Sequence, residues 1–496
     1  MTRAFSRRFF LGSVAAGVVA GPAVAAPPTA SLRPVLRGSD HFKKAIPSAE
    51  ELIAKARLDG RVTFVVSEAE TAVPLEAEKA RVGTPPASVA KAITALYGLE
   101  CLGADHVFET RLMATGGISN GEVQGDLVLI GGGDPTLDTD SLATMAANLK
   151  AAGVKSVKGG FKVYEAGLPV LRQIDPGQPD HVGYNPAVSG LALNYNRVHF
   201  EWKRGGGAYT VTMDGRSDKY RPAVAMAAMQ VRDRSAPVYT YSDGGTRDDW
   251  TVAKGALGGG GARWLPVRKP GLYAGDVFAT MAGAQGIRLG KPEIVGALAQ
   301  GEIVVTRASA PLKAILKDML KWSTNLTAEM VGLAATQKRI GTVTSLVASA
   351  AEMNRWAIET LGMTAPKFID HSGLGEASEI SAQDMVTALM HADEADLRPL
   401  LKPVALRDAK GRPVPTHPIK VNAKTGTLNF VSGLAGYMTC PNGTVLAFAI
   451  CAADEATRAT ISRAERERPP GASSWNARAK GLQQDLIERW GALYGV

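Results

Sequence analysis

The chain has 496 residues, 45% of them hydrophobic and 21% charged, with a formal net charge of +9. That is ordinary for a globular protein and leaves room for about three domain-sized units. Three of the positive charges (Arg3, Arg7, Arg8) fall at the start. Zinc-finger spacing, an RNA-binding signature and a dense Lys/Arg block are all missing, so the excess reads as a solvated basic surface and not a nucleic-acid footprint.

Residues 1–26 read as an export signal. A basic start precedes a short apolar run at 9–19, and Ala23-Val24-Ala25 supplies a small-x-small cleavage site. The run is too short to span a membrane. Ser6-Arg7-Arg8-Phe9-Phe10-Leu11 resembles the twin-arginine variant, which places the mature protein in the periplasm.

Beyond a linker at 27–34, the pattern predicts a helix over 48–57 capped by Ser48, a strand over 61–67, and a helix opened by Pro85-Pro86 over 88–102. The middle then turns β-rich. Strands are predicted at 108–114, 122–130, 191–202 and 209–213, with one helix at 140–152 and glycine-rich turns between. Helical patterns return at 273–285, 311–321, 327–336 and 345–361. Strands follow at 419–423, 433–440 and 444–451, the last two joined by a turn on Asn442-Gly443. A helix over 475–493 closes the chain, with Leu482, Leu486 and Trp490 on one face. Its mixed charges suit packing on a sheet better than lying on a membrane. This order predicts one α/β domain, residues 40–105 and 266–496, split by a β-rich insert at 106–265.

Three segments carry chemistry. In Pro85-Pro86-Ala87-Ser88-Val89-Ala90-Lys91, residues three apart share a helix face, so Lys91 can reach the Ser88 hydroxyl. Ser88 also sits where backbone N–H groups are unpaired, offering donors for an oxyanion. In Lys321-Trp322-Ser323-Thr324-Asn325, Ser323 can relay a proton to a leaving amine, and Asn325 can bind both a substrate carbonyl and Lys91. In Lys424-Thr425-Gly426-Thr427, Lys424 places positive charge near Lys91 and helps it act as a base. There Gly426 permits close approach of substrate, and Thr425 and Thr427 offer hydroxyls to a terminal carboxylate. The N–H of Thr427 is the candidate second oxyanion donor.

Taken singly, Ser88 reads as a helix cap and so does Ser323. Together, S-x-x-K, S-x-N and K-T-G in that order resemble the signature of penicillin-binding proteins and serine β-lactamases. About 235 residues separate Ser88 from Ser323, and such a large insert marks the class C low-molecular-mass penicillin-binding proteins. Gly132-Gly133-Asp134-Pro135-Thr136-Leu137, Ser323–Met330 and Asp370–Gly375 resemble the same family. The resemblance implies an α/β (α+β) transpeptidase-like, serine β-lactamase-like domain interrupted by a large insert. It implies a periplasmic D-Ala-D-Ala carboxypeptidase/endopeptidase that acts on peptidoglycan stem peptides through an acyl-enzyme on Ser88, needs no cofactor or metal, and is inhibited by β-lactam antibiotics.

Two positions depart from the family. Thr324 stands in the middle of the second motif, where no role falls on it. Glu376 stands where relatives carry an arginine that resembles a contact for the diaminopimelate carboxylate, so a repelling carboxylate is expected there. Asp180 lies where the family carries a ligand aspartate for the side-chain ammonium; its bland alternative is a loop carboxylate.

Other signals are weaker. Gly117-Ile118-Ser119-Asn120-Gly121 matches a nucleophile elbow but has strands predicted on both sides, so it reads as a hairpin turn. The seven histidines show no ligand spacing. Cys101, Cys440 and Cys451 read as core thiols; Cys440 is expected opposite about Thr444 or Val445, not Cys451. The alternatives to a peptidase are a β-lactamase or esterase on the same fold, or a non-catalytic cell-wall-binding protein. A class A E-x-x-L-N loop is missing, and the large insert speaks against a β-lactamase.

Overall fold

The computed structural model describes residues 46–392 and 397–495, and the expected export signal at 1–26 lies outside them. The framework is a six-stranded antiparallel sheet. Its strand order is Lys402–Pro403, Lys420–Leu428, Val431–Thr439, Val445–Ala453, Arg61–Glu68, Pro74–Glu78. Three of the four inner strands, Val431–Thr439, Val445–Ala453 and Arg61–Glu68, are buried along almost their whole length, because helices cover both faces. The turn expected on Asn442-Gly443 joins two of them: Gly443 takes φ +91°, and the Cys440 N–H donates to the Thr444 carbonyl at 2.8 Å. All three cysteines are free thiols.

One face packs the terminal helix Ala472–Tyr494 through Trp475, Leu482, Leu486 and Trp490 onto Phe64, Phe448 and Leu434. Burying each such side chain contributes about 1.5–3 kcal/mol. Helix Ala49–Ala56 packs alongside, started by a complete Ser48/Glu51 capping box. The opposite face carries helices Ala90–Leu102, Leu312–Trp322, Asn325–Ile340, Leu346–Leu361 and Ala382–His391 around Tyr97, Trp356 and Tyr437.

The β-rich region has its own core. Strand Glu302–Ala308 pairs with Glu109–Ala114 in a five-stranded sheet, and helix Pro270–Ala284 packs into the same apolar cluster. The interruption therefore reaches 308, beyond the boundary expected at 265. The helical pattern resuming at 273 belongs to the insert's core. Smaller differences have local causes. Asn194, Tyr195 and Asn196 are all left-handed, so the strand expected from 191 begins only at Arg197. The strand expected over 122–130 breaks into Glu122–Val123 and Leu127–Ile130 around Gly125, where a Cβ would lie 2.3 Å from the Thr115 hydroxyl. Ser119 sits on the two-stranded hairpin Ile118–Ser119/Glu122–Val123 with no helix behind it. Among the described residues no helix is long and apolar enough to cross a membrane.

Candidate active site

Ser88 lies in a single 3-10 turn, Ala87–Val89, that runs into the α-helix Ala90–Leu102. Ala87 enters the turn at φ +47°, a left-handed conformation that costs an alanine roughly 1–2 kcal/mol. Two glycines leave space for this bend. A Cβ on Gly373 would sit 1.9 Å from the Ala87 carbonyl oxygen, and one on Gly426 would sit 2.8 Å from that of Pro86. The turn brings the Ser88 hydroxyl within 2.9 Å of Lys91 Nζ.

Lys91 is fully buried. Its amine donates to Asn325 Oδ1 and to the Ser372 carbonyl, each at 2.7 Å. Both partners only accept. A neutral amine engages them with its two N–H groups, and its lone pair then faces the Ser88 O–H. Burial pulls the Lys91 pKa down from 10.5 to about 8, against the pull of Glu329 and Asp370. Asn325 cannot present its amide the other way round, because its Nδ2 donates to the Tyr184 carbonyl at 2.9 Å. The insert thus orients a side chain of the split domain.

Ser323 and Asn325 stand at the junction of two helices. Ser323 is the left-handed C-cap (φ +59°) of Leu312–Trp322, and Asn325 is the first residue of Asn325–Ile340. Lys424 is buried on strand Lys420–Leu428 and donates to Ser323 Oγ at 2.9 Å and to the Thr425 carbonyl at 2.7 Å. Burial, followed by the nearby Lys91 and Lys402 charges, holds its pKa well below that of an ordinary lysine. Beyond Ala423 this strand pairs on one side only among the described residues, so its other edge is open to an extended peptide.

These groups meet at a cleft of about 320 Å³ lined by Ser88, Ser323, Asn325 and Thr427, with Tyr184 and Glu376 contributing to its wall. Residues 47–468 match the D-Ala-D-Ala carboxypeptidase 3 (S13) family. The chain belongs to that family. As an S13 member it is a serine-type D-Ala-D-Ala carboxypeptidase, a hydrolase. It is 28% identical over 401 residues to a D-alanyl-D-alanine carboxypeptidase of Actinomadura sp. (strain R39), covering 74% of this chain and 72% of that one. It is 25% identical over 394 residues to the D-alanyl-D-alanine carboxypeptidase DacB of Haemophilus influenzae, covering 73% and 79%. Its fold is similar to the crystal structure of penicillin-binding protein 4 (dacB) from Haemophilus influenzae, with a TM-score of 0.71 at 18% identity over 91% of this chain and 99% of that one.

Two sequence expectations for this S13 enzyme change. The Asp180 carboxylate pairs with Arg463 at 3.0 Å and does not line the cleft. Glu376 does line it, but not as a bare repelling charge: Arg458 and Arg466 hold its two oxygens at 3.3 and 3.0 Å. Both arginines come from the segment after the last sheet strand, too far along the chain for any local pattern to connect them with residue 376.

The S13 site also contains residues that motif reading passed over. Buried Glu329 accepts the N–H groups of His371 and Ser372 at 2.9 and 3.0 Å. Buried Asp370 accepts those of Gly373 and Gly375 at 2.7 and 2.6 Å. Burial raises both carboxyl pKa values, while the N–H bonds favour the charged forms. Glu329 and Asp370 lie within the stretches 323–330 and 370–375, which resemble the family but suggested no role by themselves. Thr425 is not part of the cleft wall. With Gly426 and Thr427 it lines a neighbouring groove.

Proposed function

We propose that Ser88 Oγ attacks the carbonyl carbon of the penultimate D-Ala while Lys91 takes the hydroxyl proton. The N–H groups of Ser88 and Thr427 receive the oxyanion. When the tetrahedral species collapses, the peptide C–N bond breaks, and the leaving amine departs with the proton that Lys91 took, passed on through Ser323 beside Lys424, which leaves Lys91 neutral. Water then attacks the ester with Lys91 again as base, freeing Ser88. Asn325 aims Lys91; Lys424 and the Thr427 hydroxyl hold the terminal carboxylate, and Gly426 admits the substrate backbone. The leaving amine belongs to a terminal D-Ala in carboxypeptidase action, or to a neighbouring stem peptide in endopeptidase action.

The observation that carries this reading is the buried Lys91 amine, held by two acceptor-only carbonyls and turned to Ser88. A β-lactam acylates the same hydroxyl in this scheme; the Haemophilus influenzae protein of similar fold has been crystallised with one. Labelled penicillin should bind one-to-one, with the adduct on the peptide containing Ser88. A label on Ser119 would overturn the assignment.

The leader sequence supports periplasmic action after twin-arginine export. Replacing Arg7 and Arg8 by lysine should then retain the precursor in the cytoplasm, and continued export would point to the general secretory route.

A further inference from the structure

A groove of about 1110 Å³ lies beside the Ser88 cleft, between the loop at 402–411, residues 425–427 of the catalytic strand and the terminal helix Ala472–Tyr494. Thr427 lines both cavities, so they meet at a residue of the third motif. Pockets of roughly 300–1,000 Å³ hold drug-sized molecules. This groove therefore has space for a peptide, far more than one departing alanine needs.

Its charge is unbalanced. The acids Asp408 and Asp485 are paired with Arg412 and Lys55 at 2.8 and 3.0 Å, whereas Glu488 accepts only from the neutral Gln484 amide and keeps its charge. Lys402, Arg407 and Lys480 also line the groove, and none of the three has an ion-pair partner among the described residues. Lys402 is half-buried beside the catalytic strand, in register with Ala423, next to Lys424. Burial first and the Lys480 charge second lower its pKa, so the two cations sense one another. Unpaired cations thus outnumber the one unpaired carboxylate, and such an excess favours an anionic ligand such as a carboxylate.

We infer that this groove is the subsite for the leaving strand of a cross-linked substrate: a second stem peptide whose carboxylate is held by Lys402 and Lys480. The inference rests on the acyl-enzyme reading above. As the Ser88 ester forms, the C–N bond to the second stem breaks, and that stem leaves as the protonated amine with the groove holding its remaining length.

The test compares a purified cross-linked muropeptide dimer with a monomeric pentapeptide and with penicillin acylation, in wild type, Lys480→Glu and Lys402→Gln. Lys480→Glu should raise KM for the dimer about 3- to 10-fold, the range for reversing a solvent-facing pair. Pentapeptide kinetics and acylation should stay unchanged. Lys402→Gln should lower the dimer-to-pentapeptide ratio of kcat/KM in the same direction. Parallel changes on both substrates, no change on either, or a wild type that trims pentapeptide but leaves the dimer whole would overturn the subsite while the Ser88 mechanism stands. A wild type lacking both a penicillin adduct and pentapeptide turnover would remove the mechanism itself, and the subsite with it.

Discussion

Ser372 joins Glu329 to Lys91: its N–H donates to Glu329 Oε1 at 3.0 Å, and its carbonyl accepts from Lys91 Nζ at 2.7 Å. The other Glu329 oxygen takes the His371 N–H, so the ionised carboxylate is the form these bonds satisfy. Its charge favours protonated Lys91, whereas burial favours the neutral amine. A lysine lowered to about 8 is charged below that pH and neutral above it. Acylation should therefore rise with pH through about 8. In Glu329→Gln the opposing charge is gone, and the rising limb should move to lower pH. One buried N–H also loses its acceptor, at about 1–3 kcal/mol of stability. Penicillin acylation rates across pH 6–10 read the shift; an unmoved or raised limb would refute the electrostatic role of Glu329.

Lys91→Arg preserves charge but cannot deprotonate near neutral pH. Acylation should slow by about 10²-fold or more, with circular dichroism unchanged. Near-normal acylation would identify another group as the base.

Gly373→Ala should displace the nucleophile's turn. The new methyl would lie 1.9 Å from the Ala87 carbonyl oxygen, and position 373 already sits at φ +74°. The expected result is a loss of acylation of about 10-fold or more, since misplacement of order 1 Å can cost 10²-fold, together with a lowered melting temperature. An active variant of normal stability would show that the two loops move freely past each other.

Glu376 and its two arginines form a unit, so the direction of a Glu376 substitution depends on them. Glu376→Gln should free the Arg458 and Arg466 guanidiniums toward the cleft and lower KM for peptides bearing a side-chain carboxylate about 2- to 5-fold. An uncharged Lys-D-Ala-D-Ala mimic with a blocked side chain should respond little. Equal effects on both peptides would remove the arginines from side-chain recognition.

Asp180→Asn breaks only the partly exposed pair with Arg463. Stability should change by about 0–1 kcal/mol, and kcat/KM on a diaminopimelate pentapeptide should stay within about twofold of wild type. A selective loss on that peptide would return Asp180 to the substrate.

The four inner strands of the central sheet, most of its covering helices and the interruption between them were legible because their signals are local, whereas the edge strands Pro74–Glu78 and Lys402–Pro403 and helix Ala382–His391 were not expected. Alternation over 61–67, the Asn442-Gly443 turn and the four-residue spacing of Leu482, Leu486 and Trp490 each specify an element without reference to distant chain. The insert's end was not legible. Helix Pro270–Ala284 has the same local pattern wherever it packs, and only the pairing of Glu302–Ala308 with Glu109–Ala114 decides to which core it belongs. The strand expected from 191 failed at Asn194–Asn196, where alternating apolar residues conceal three left-handed conformations.

By itself the sequence determined which residue types stand ready for acyl transfer. Ser88 and Lys91 are three apart on one turn, and order and spacing name the other two motifs. Only the tertiary structure decided how charge is disposed around them. Glu329 acts on Lys91 from helix Asn325–Ile340, Asp370 and the Ser372 carbonyl do so from a loop further along the chain, and Arg458 and Arg466 cross to Glu376, because ion pairing and desolvation depend on distance in space and on burial. The same physics pairs the Asp180 carboxylate with Arg463.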